Sequence, residues 1–511
     1  MIGGDVKKMN VEALTDPAQI NEYMNLNFQK MRKMIISDLN SNYAASSIFL
    51  KRYNRDQIEK ALLSPDKSVK QLQEMSEFLY NTSPHYKRLL DYMSELSCDN
   101  YTLSPIEYVI KNEDEFKDSY FSAAKSYSLV SFKNINPVIR HEVFLKGIFC
   151  GICFEAKNSF CLKKLDINYC KISSVEDGTP IFSFDLDYFN TKAHFMLLEQ
   201  YGLDFVKAYR IYKGDEERGV EPDKTKRWFE PKNQVCVKLD NSVLEYSLPY
   251  FIGLFQAILE IDVYNEIKKD NAIMNNYKVL AMQMATDEYG IPTMKFGDAE
   301  KYYNQAAANL PEGVGLIMTP FKIEEFSLQN NKSTDGDLAE DATKQFWANS
   351  GVNPMLFGIG ANPTSAVLEL SIRTDECIVF TVDENIAKAF NTRFKRNHNI
   401  NDHIFIIAFL PQSIFNKTTL IDSLTKGCTY GLPLKSQLLA AYGLEPYQVL
   451  TMSNLEDNIL GFTKTMLNTP LLQSSTMSPD KGEVGRPSNE SKGLGDSDST
   501  ELGKDNNTEN R

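Results

Sequence analysis

The chain has 511 residues, a net charge of −13, 42% hydrophobic and 24% charged residues. That length carries several sizeable cores, and the composition is that of an ordinary globular protein. The acidic balance excludes a sequence-reading DNA binder, which carries a basic face, but allows a protein that lets nucleic acid slide past it.

No run of about 18 apolar residues occurs, so no transmembrane helix is expected. The first residues, MIGGDVKKMNVEALTD, lack the apolar centre of a secretion signal. Residues 1–130 read as helical and polar. Ile20, Met24, Phe28, Met31 and Ile35 fall at helical spacing, as do Leu89, Leu90, Met93 and Leu96 behind Ser83-Pro84. Residues 55–64, 67–80 and 114–130 are further amphipathic pieces with one inward face.

Near Glu142 the period shifts to two. VFLKGIFCGICFEA, FCLKKLD, YCKISSV and IFSFDLDYF follow, rich in β-branched and aromatic residues, with Glu176-Asp177-Gly178 as a turn. This predicts a small antiparallel sheet, beginning at Val143, set in a helical body. Residues 189–209 turn helical again, 213–232 read as a surface loop, and Gln234 opens a short strand. Ser247 is the predicted cap of a long helix over residues 248–284, with Ile252, Phe255, Leu259, Val263, Ile267 and Met274 as its stripe. Gly and Pro then break residues 286–329 into short strands and turns.

Residues 337–347 form a helix that ends in a Gly/Asn/Pro loop. Asn362 is the predicted N-cap and Pro363 the first residue of a second long helix. Leu368, Ile372, Val379, Val382, Ile386, Phe390 and Phe394 make its apolar stripe, and Arg393, Lys395 and Arg396 suit its negative C-terminal end. At 1.5 Å per residue it spans roughly 50 Å. HIFIIAFLP is a buried strand. Residues 417–425, 434–442 and 446–460 are helices. From residue 474 polar residues take over, which predicts a disordered tail.

Signatures of chemistry are sparse. There is no G-x-x-x-x-G-K-[ST], H-E-x-x-H or G-x-S-x-G. Cys150, Cys153, Cys161 and Cys170 are spaced C-x2-C-x7-C-x8-C, a pattern that invites zinc. The first pair lies inside an apolar strand, however, and buried free thiols are the favoured reading. His398 and His403 flank Asp402, a pattern read as structural rather than catalytic. Asp185 and Asp187, alternate on a strand, could share a face and hold metal for phosphoryl transfer. The favoured reading places them on the solvated face of the sheet.

The order of parts is more specific than any motif. A helical and β-containing first half leads to a long helix, a short insert, a returning helix, a loop and a second very long helix. With the phrases Phe346-Trp-Ala-Asn-Ser-Gly-Val352, NPMLFGIGANPTSAVLELSIRTDE and SLPYFIGLFQAILEIDVYNEI, it resembles the portal (head–tail connector) proteins of tailed bacteriophages. The resemblance covers most of residues 100–460. It implies an α+β, mainly helical fold with two very long helices. The implied parts are an N-terminal and wing region (1–246), first stem helix (247–285), clip (286–330), second stem helix (331–357), tunnel loop (358–364), long helix and return to the wing (365–416), crown (417–473) and tail (474–511). Gly358, Ile359, Gly360, Ala361, Asn362, Pro363 and Thr364 would form the tunnel loop. Glu369, Arg373, Glu376, Glu384 and Lys388 are candidates for a channel wall or for pairs between subunits; an ordinary solvated helix face explains them equally well.

The family implies a ring, usually of twelve subunits, at one capsid vertex in the virion, assembled in the host cytoplasm. Double-stranded DNA would pass through it without sequence recognition. Its partners would be terminase, the major capsid protein, scaffolding protein and a head-completion adaptor. It implies no catalysis, cofactor, metal or membrane. The competing readings are a metal-dependent nucleotidyl-transfer enzyme using Asp185 and Asp187, and a helical adaptor. The first 100 residues match no part of the family's pattern.

Overall fold

A computed structural model describes residues 55–106, 112–214, 221–240, 243–258, 261, 278–283, 305, 314–319, 334–357, 365–397 and 403–461. The expected helix over 17–39, the tunnel loop 358–364 and the tail from 474 lie outside these residues.

The first three helices are α1 (Arg55–Leu63), α2 (Val69–Thr82) and α3 (Pro84–Glu95). Ser83 caps α3 as its sequence demands, accepting the Tyr86 N–H ahead of Pro84 at the first helical position. Tyr86, Leu89, Leu90 and Met93 make its stripe, and all four are buried. Each such side chain contributes about 1.5–3 kcal/mol of burial. Two further helices, α4 (Glu113–Val130) and α5 (Phe132–Lys146), complete this layer.

At Gly147 helix gives way to strand. The residue closes α5 at φ +84°, its N–H bonded to the Val143 carbonyl, and β2 (Ile148–Ala156) starts at once. A Cβ here would meet the Leu248 carbonyl oxygen at 2.2 Å, so only glycine fits. The strand expected from Val143 is therefore helix through Lys146. Period-two and period-3.6 apolar patterns cannot be told apart over four residues.

Strand β2 is the centre of an antiparallel sheet, β3 (Ser159–Lys164)–β2–β7 (Gln234–Lys238). A second antiparallel sheet contains β4 (Cys170–Glu176), β5 (Thr179–Asp185) and β6 (Trp228–Phe229). Asp177 and Gly178, both at positive φ, form the tight β4–β5 turn that was expected. Phe182, Phe184, Leu186, Phe189 and Phe205 share one core with Cys150 and Ile152. After β5 the chain takes 3-10 turns, the short α6 (Lys192–Phe195) and α7 (Leu203–Lys213).

Two strand assignments depart from the expectation. A strand within the supposedly helical first part, β1 (Tyr101–Pro105), pairs antiparallel with β10 (Phe405–Phe409). Lys278–Gln283 is a strand, β8, paired parallel with β9 (Val314–Thr319), and not the last turns of a helix reaching Met284. The N-terminal limit of that helix also moves. Ser247 is buried and caps nothing; its carbonyl, with that of Lys146, accepts from Gln73 Nε2 at 2.9 Å each. Helical structure begins as a 3-10 turn at Ile252–Leu254 and continues over 255–258.

The returning helix α8 (Thr334–Ser350) leads to a 3-10 turn, Pro354–Phe357, and α9 (Ser365–Asn397) follows with 33 residues. Beyond β10 come α10 (Lys417–Thr429), α11 (Lys435–Ala441) and α12 (Pro446–Ser453). A second compact unit begins at Leu450, whose described part is the end of α12 and a π-helical turn, Asn454–Ile459. The described chain is mainly helical with small sheets, antiparallel except for the β8–β9 pair. Among the described residues no helix is long and apolar enough to cross a membrane.

Candidate functional site

The site is built on α9, whose inner face is not a plain apolar stripe. Ile372, Val379, Val382, Ile386 and Phe390 are buried as their spacing requires, but so are Asp375, Glu376, Asp383, Thr392 and Arg393. A buried polar group must find a partner, and each of these ties α9 to a different element. The Tyr92 hydroxyl of α3 donates to Asp375 at 3.1 Å. Ser413 donates to Glu376, just beyond β10. Asn385 donates to the Lys238 carbonyl at the end of β7, and Asn391 brackets Ile407 of β10, donating at 3.0 Å and accepting at 2.9 Å.

Asp383 meets the most enclosed charge in the described chain. Arg140 of α5, fully buried, donates to the Ser94 carbonyl at 2.7 Å and to Asp383 at 2.6 Å. It also grips both oxygens of Asp99, at 2.6 and 2.9 Å. Burial opposes the charge on Arg140, but the two carboxylates outweigh it and hold the guanidinium protonated. Burial pushes the Asp383 carboxyl up, with Arg140 pulling against it. Burial also lifts Asp375 to about 6.

The C-terminal end of α9 is clamped to the sheets. Arg393 pairs with Glu155 of β2 at 2.5 Å, and Lys395 with Asp177 at the β4–β5 turn at 2.7 Å. Arg396 reaches Glu176 at 2.6 Å and Glu230 at 3.1 Å. The sequence relates these cations to the helix dipole alone; their carboxylate partners lie 166 to 238 residues away, beyond the reach of any local pattern. Ahead of α9, Trp347 is buried, stacked on Phe357 at 4.0 Å between ring centres and edged by Phe346 and His85.

Four of the five wall candidates lie on the outer face of α9, and they pair among themselves. Glu369 binds Arg373 and Glu384 binds Lys388, each at 2.8 Å and each one turn apart. Glu376 is the exception: buried and bonded to Ser413, it belongs to the inner face. Gly358, Ile359, Gly360, Ala361, Asn362, Pro363 and Thr364 lie outside the described residues.

The enzyme alternative loses its geometry. Asp185 ends β5 and Asp187 sits in the following 3-10 turn, so the two do not alternate along one strand. Asp185 is buried, not on a solvated face, and Arg227 binds both its oxygens. Asp187 accepts from Tyr212 at 2.5 Å and Asn190 at 2.6 Å, and Arg227 lies 3.1 Å away. The Tyr212 bond chiefly holds its carboxyl below the usual range. Among the described residues no group of three His, Cys, Asp or Glu is placed to hold a metal ion. Cys150 and Cys153, three apart on β2, face opposite sides of the sheet, so the zinc pattern does not converge. All eight cysteines are free thiols. His403 packs edge-on against Phe116, while His398 and Asp402 lie outside the described residues.

No family model matches the chain, and no curated protein matches it. Among solved structures it is similar to a chain of the virion of a native gene transfer agent particle, with 11% identity and a TM-score of 0.42 over 72% of this chain and 94% of that one. A chain from the neck of a native gene transfer agent particle computed with C12 symmetry gives 12% and 0.41, over 72% and 94%. An HK97 family phage portal protein from Corynebacterium diphtheriae gives 9% and 0.33, over 67% and 95%. At this identity and score each likeness is one of outline.

Proposed function

We propose that the chain is the subunit of a phage portal, a ring at one capsid vertex through which double-stranded DNA is packaged and ejected. The observation that carries this is α9. It is a 33-residue helix clamped at one end by four ion pairs, pinned along its inner face by buried polar contacts, and preceded by an aromatic strut. Such bracing suits a helix that must bear load. On this reading residues 358–364 are the tunnel loop, and α8 is the second stem helix. Residues 286–330 are the clip, the first stem helix stops short of Lys278, and the β2–β7 region is the wing.

The outer face of α9 supports the same reading. Arg373 and Lys388 are each neutralised by a carboxylate one turn away. Neither cation is left free to grip phosphate, and every neutralised phosphate would add to affinity and slow sliding. Terminase, capsid, scaffolding and head-completion proteins are the partners this role requires. The test is the mass and negative-stain image of the purified full chain. A closed ring whose hole admits a DNA duplex supports the proposal; a stable monomer at micromolar concentration overturns it.

A further inference from the structure

Three thiols from three strands meet between the two wing-side sheets. Cys150 of β2 is buried and sits directly opposite Cys236 of β7, their sulfurs 3.9 Å apart. Cys170, the first residue of β4, packs against the same core and lines the same cavity as Cys150. Cys170 is only partly buried, and its thiol also donates to the Asp166 carbonyl at 3.4 Å. Cys150 and Cys170 both line a cavity of about 330 Å³, walled by Lys70 and Gln73 of α2, Lys171 of β4 and residues 244–247. Cys150 and Cys170 thus share a cavity wall that Cys236 does not reach, and among the described residues no group is placed to hold a metal ion.

We propose that Cys170 and Cys150 form an oxidisable pair that takes a small organic disulfide as its oxidant and closes into a bond stapling sheet β3–β2–β7 to sheet β4–β5–β6. The Cys170 thiolate attacks one sulfur of the small disulfide. That S–S bond breaks, a mixed disulfide forms on Cys170, and the first small thiolate leaves and takes a proton. Cys150 gives its proton to solvent, and its sulfur attacks Cys170 Sγ and expels the second small thiol. The two cysteines lose two electrons and two protons; the small disulfide gains both and leaves as two thiols. The neighbouring Cys170 thiol and burial hold the Cys150 thiol well above its usual range, so the second step is the slow one and quickens with pH.

The test treats the full chain with glutathione disulfide at pH 7 and pH 9, and maps peptides without reduction. The expected product joins Cys150 to Cys170, forms faster at pH 9, and raises the melting temperature by roughly 5 °C, the effect of closing a loop of this size. It is absent from Cys170→Ser, and it persists in Cys236→Ser. A glutathione adduct that stays on Cys170 overturns the proposal. So does reaction confined to the exposed Cys377, or a Cys150–Cys236 bond that forms equally well in Cys170→Ser. Cys170 is only partly buried, so the outcome does not hinge on refolding a buried-core variant.

Discussion

Replacing Arg140 by methionine isolates the contact that fastens α9 to the helical layer. The side chain fills a similar volume but removes the cation from between Asp99 and Asp383, whose side chains are 4% and 3% exposed. Two carboxylates are left buried without a counter-charge, a change that costs about 3–5 kcal/mol. At roughly 2–4 °C per kcal/mol for a domain-sized unit, the melting temperature should fall by roughly 10 °C at pH 7.5. The pH dependence has a definite sign. Without Arg140, burial holds the Asp383 carboxyl above its value in the unfolded chain with nothing pulling against it. Its share of the penalty is then full above the raised folded value and shrinks as pH falls and the group takes up a proton. The assay is thermal unfolding of both proteins at pH 7.5 and pH 5. A fall below about 2 °C, or a gap that widens toward acid, would show that the network carries no such load. As a control, Asp383→Asn should cost less than Arg140→Met, because burial already opposes the charge on Asp383.

Asp375→Asn tests the carboxyl lifted to about 6. A raised acid stabilises the fold while protonated and loses that contribution as pH rises through about 6. The variant should thus be more stable than wild type by about 1 kcal/mol at pH 8, after allowing for solvent screening, and equal to it near pH 4. Arg393→Ala should cost about 2 kcal/mol, because it removes a buried side chain packed over Phe160 as well as the pair with Glu155. Lys395→Ala, at a more exposed pair, should cost less than 1 kcal/mol; equal losses would mean that burial does not set the strength of this clamp. Deleting residues 358–364 should leave rings intact by negative stain while DNA packaging or retention fails. Unassembled subunits, or rings that package normally, would refute the tunnel-loop assignment.

What could be read from the sequence was local. The Ser83 cap, the Asp177-Gly178 turn and the α9 stripe follow from residue types at short spacing, and they stand where expected. The long-range partners could not be read. Nothing near Arg393 announces Glu155, and nothing near Arg140 announces Asp383. One signal was available all the same. Asp375, Glu376, Asp383 and Arg393 recur three, four or seven positions from Val379, Val382, Ile386 and Phe390, on the face that must be buried. Charged groups at core spacing imply buried partners. The strand at Val143, the cap at Ser247 and the helix through Met284 failed for another reason. Short apolar runs fit either period, and tertiary contacts such as Gln73 bridging Lys146 and Ser247 decided the outcome.

The bracing of α9 leaves only its first turns without a buried polar anchor. From Ser365 to Thr374 it runs roughly 15 Å ahead of Asp375, the first residue so held. A rotation of about 5° about that anchor would carry the tip through roughly 1 Å. Behind it Asp375, Glu376, Asp383 and the C-terminal cations hold the rod, so a movement of the sheets would reach the start of the helix as a shift of the whole rod, not as a magnified swing.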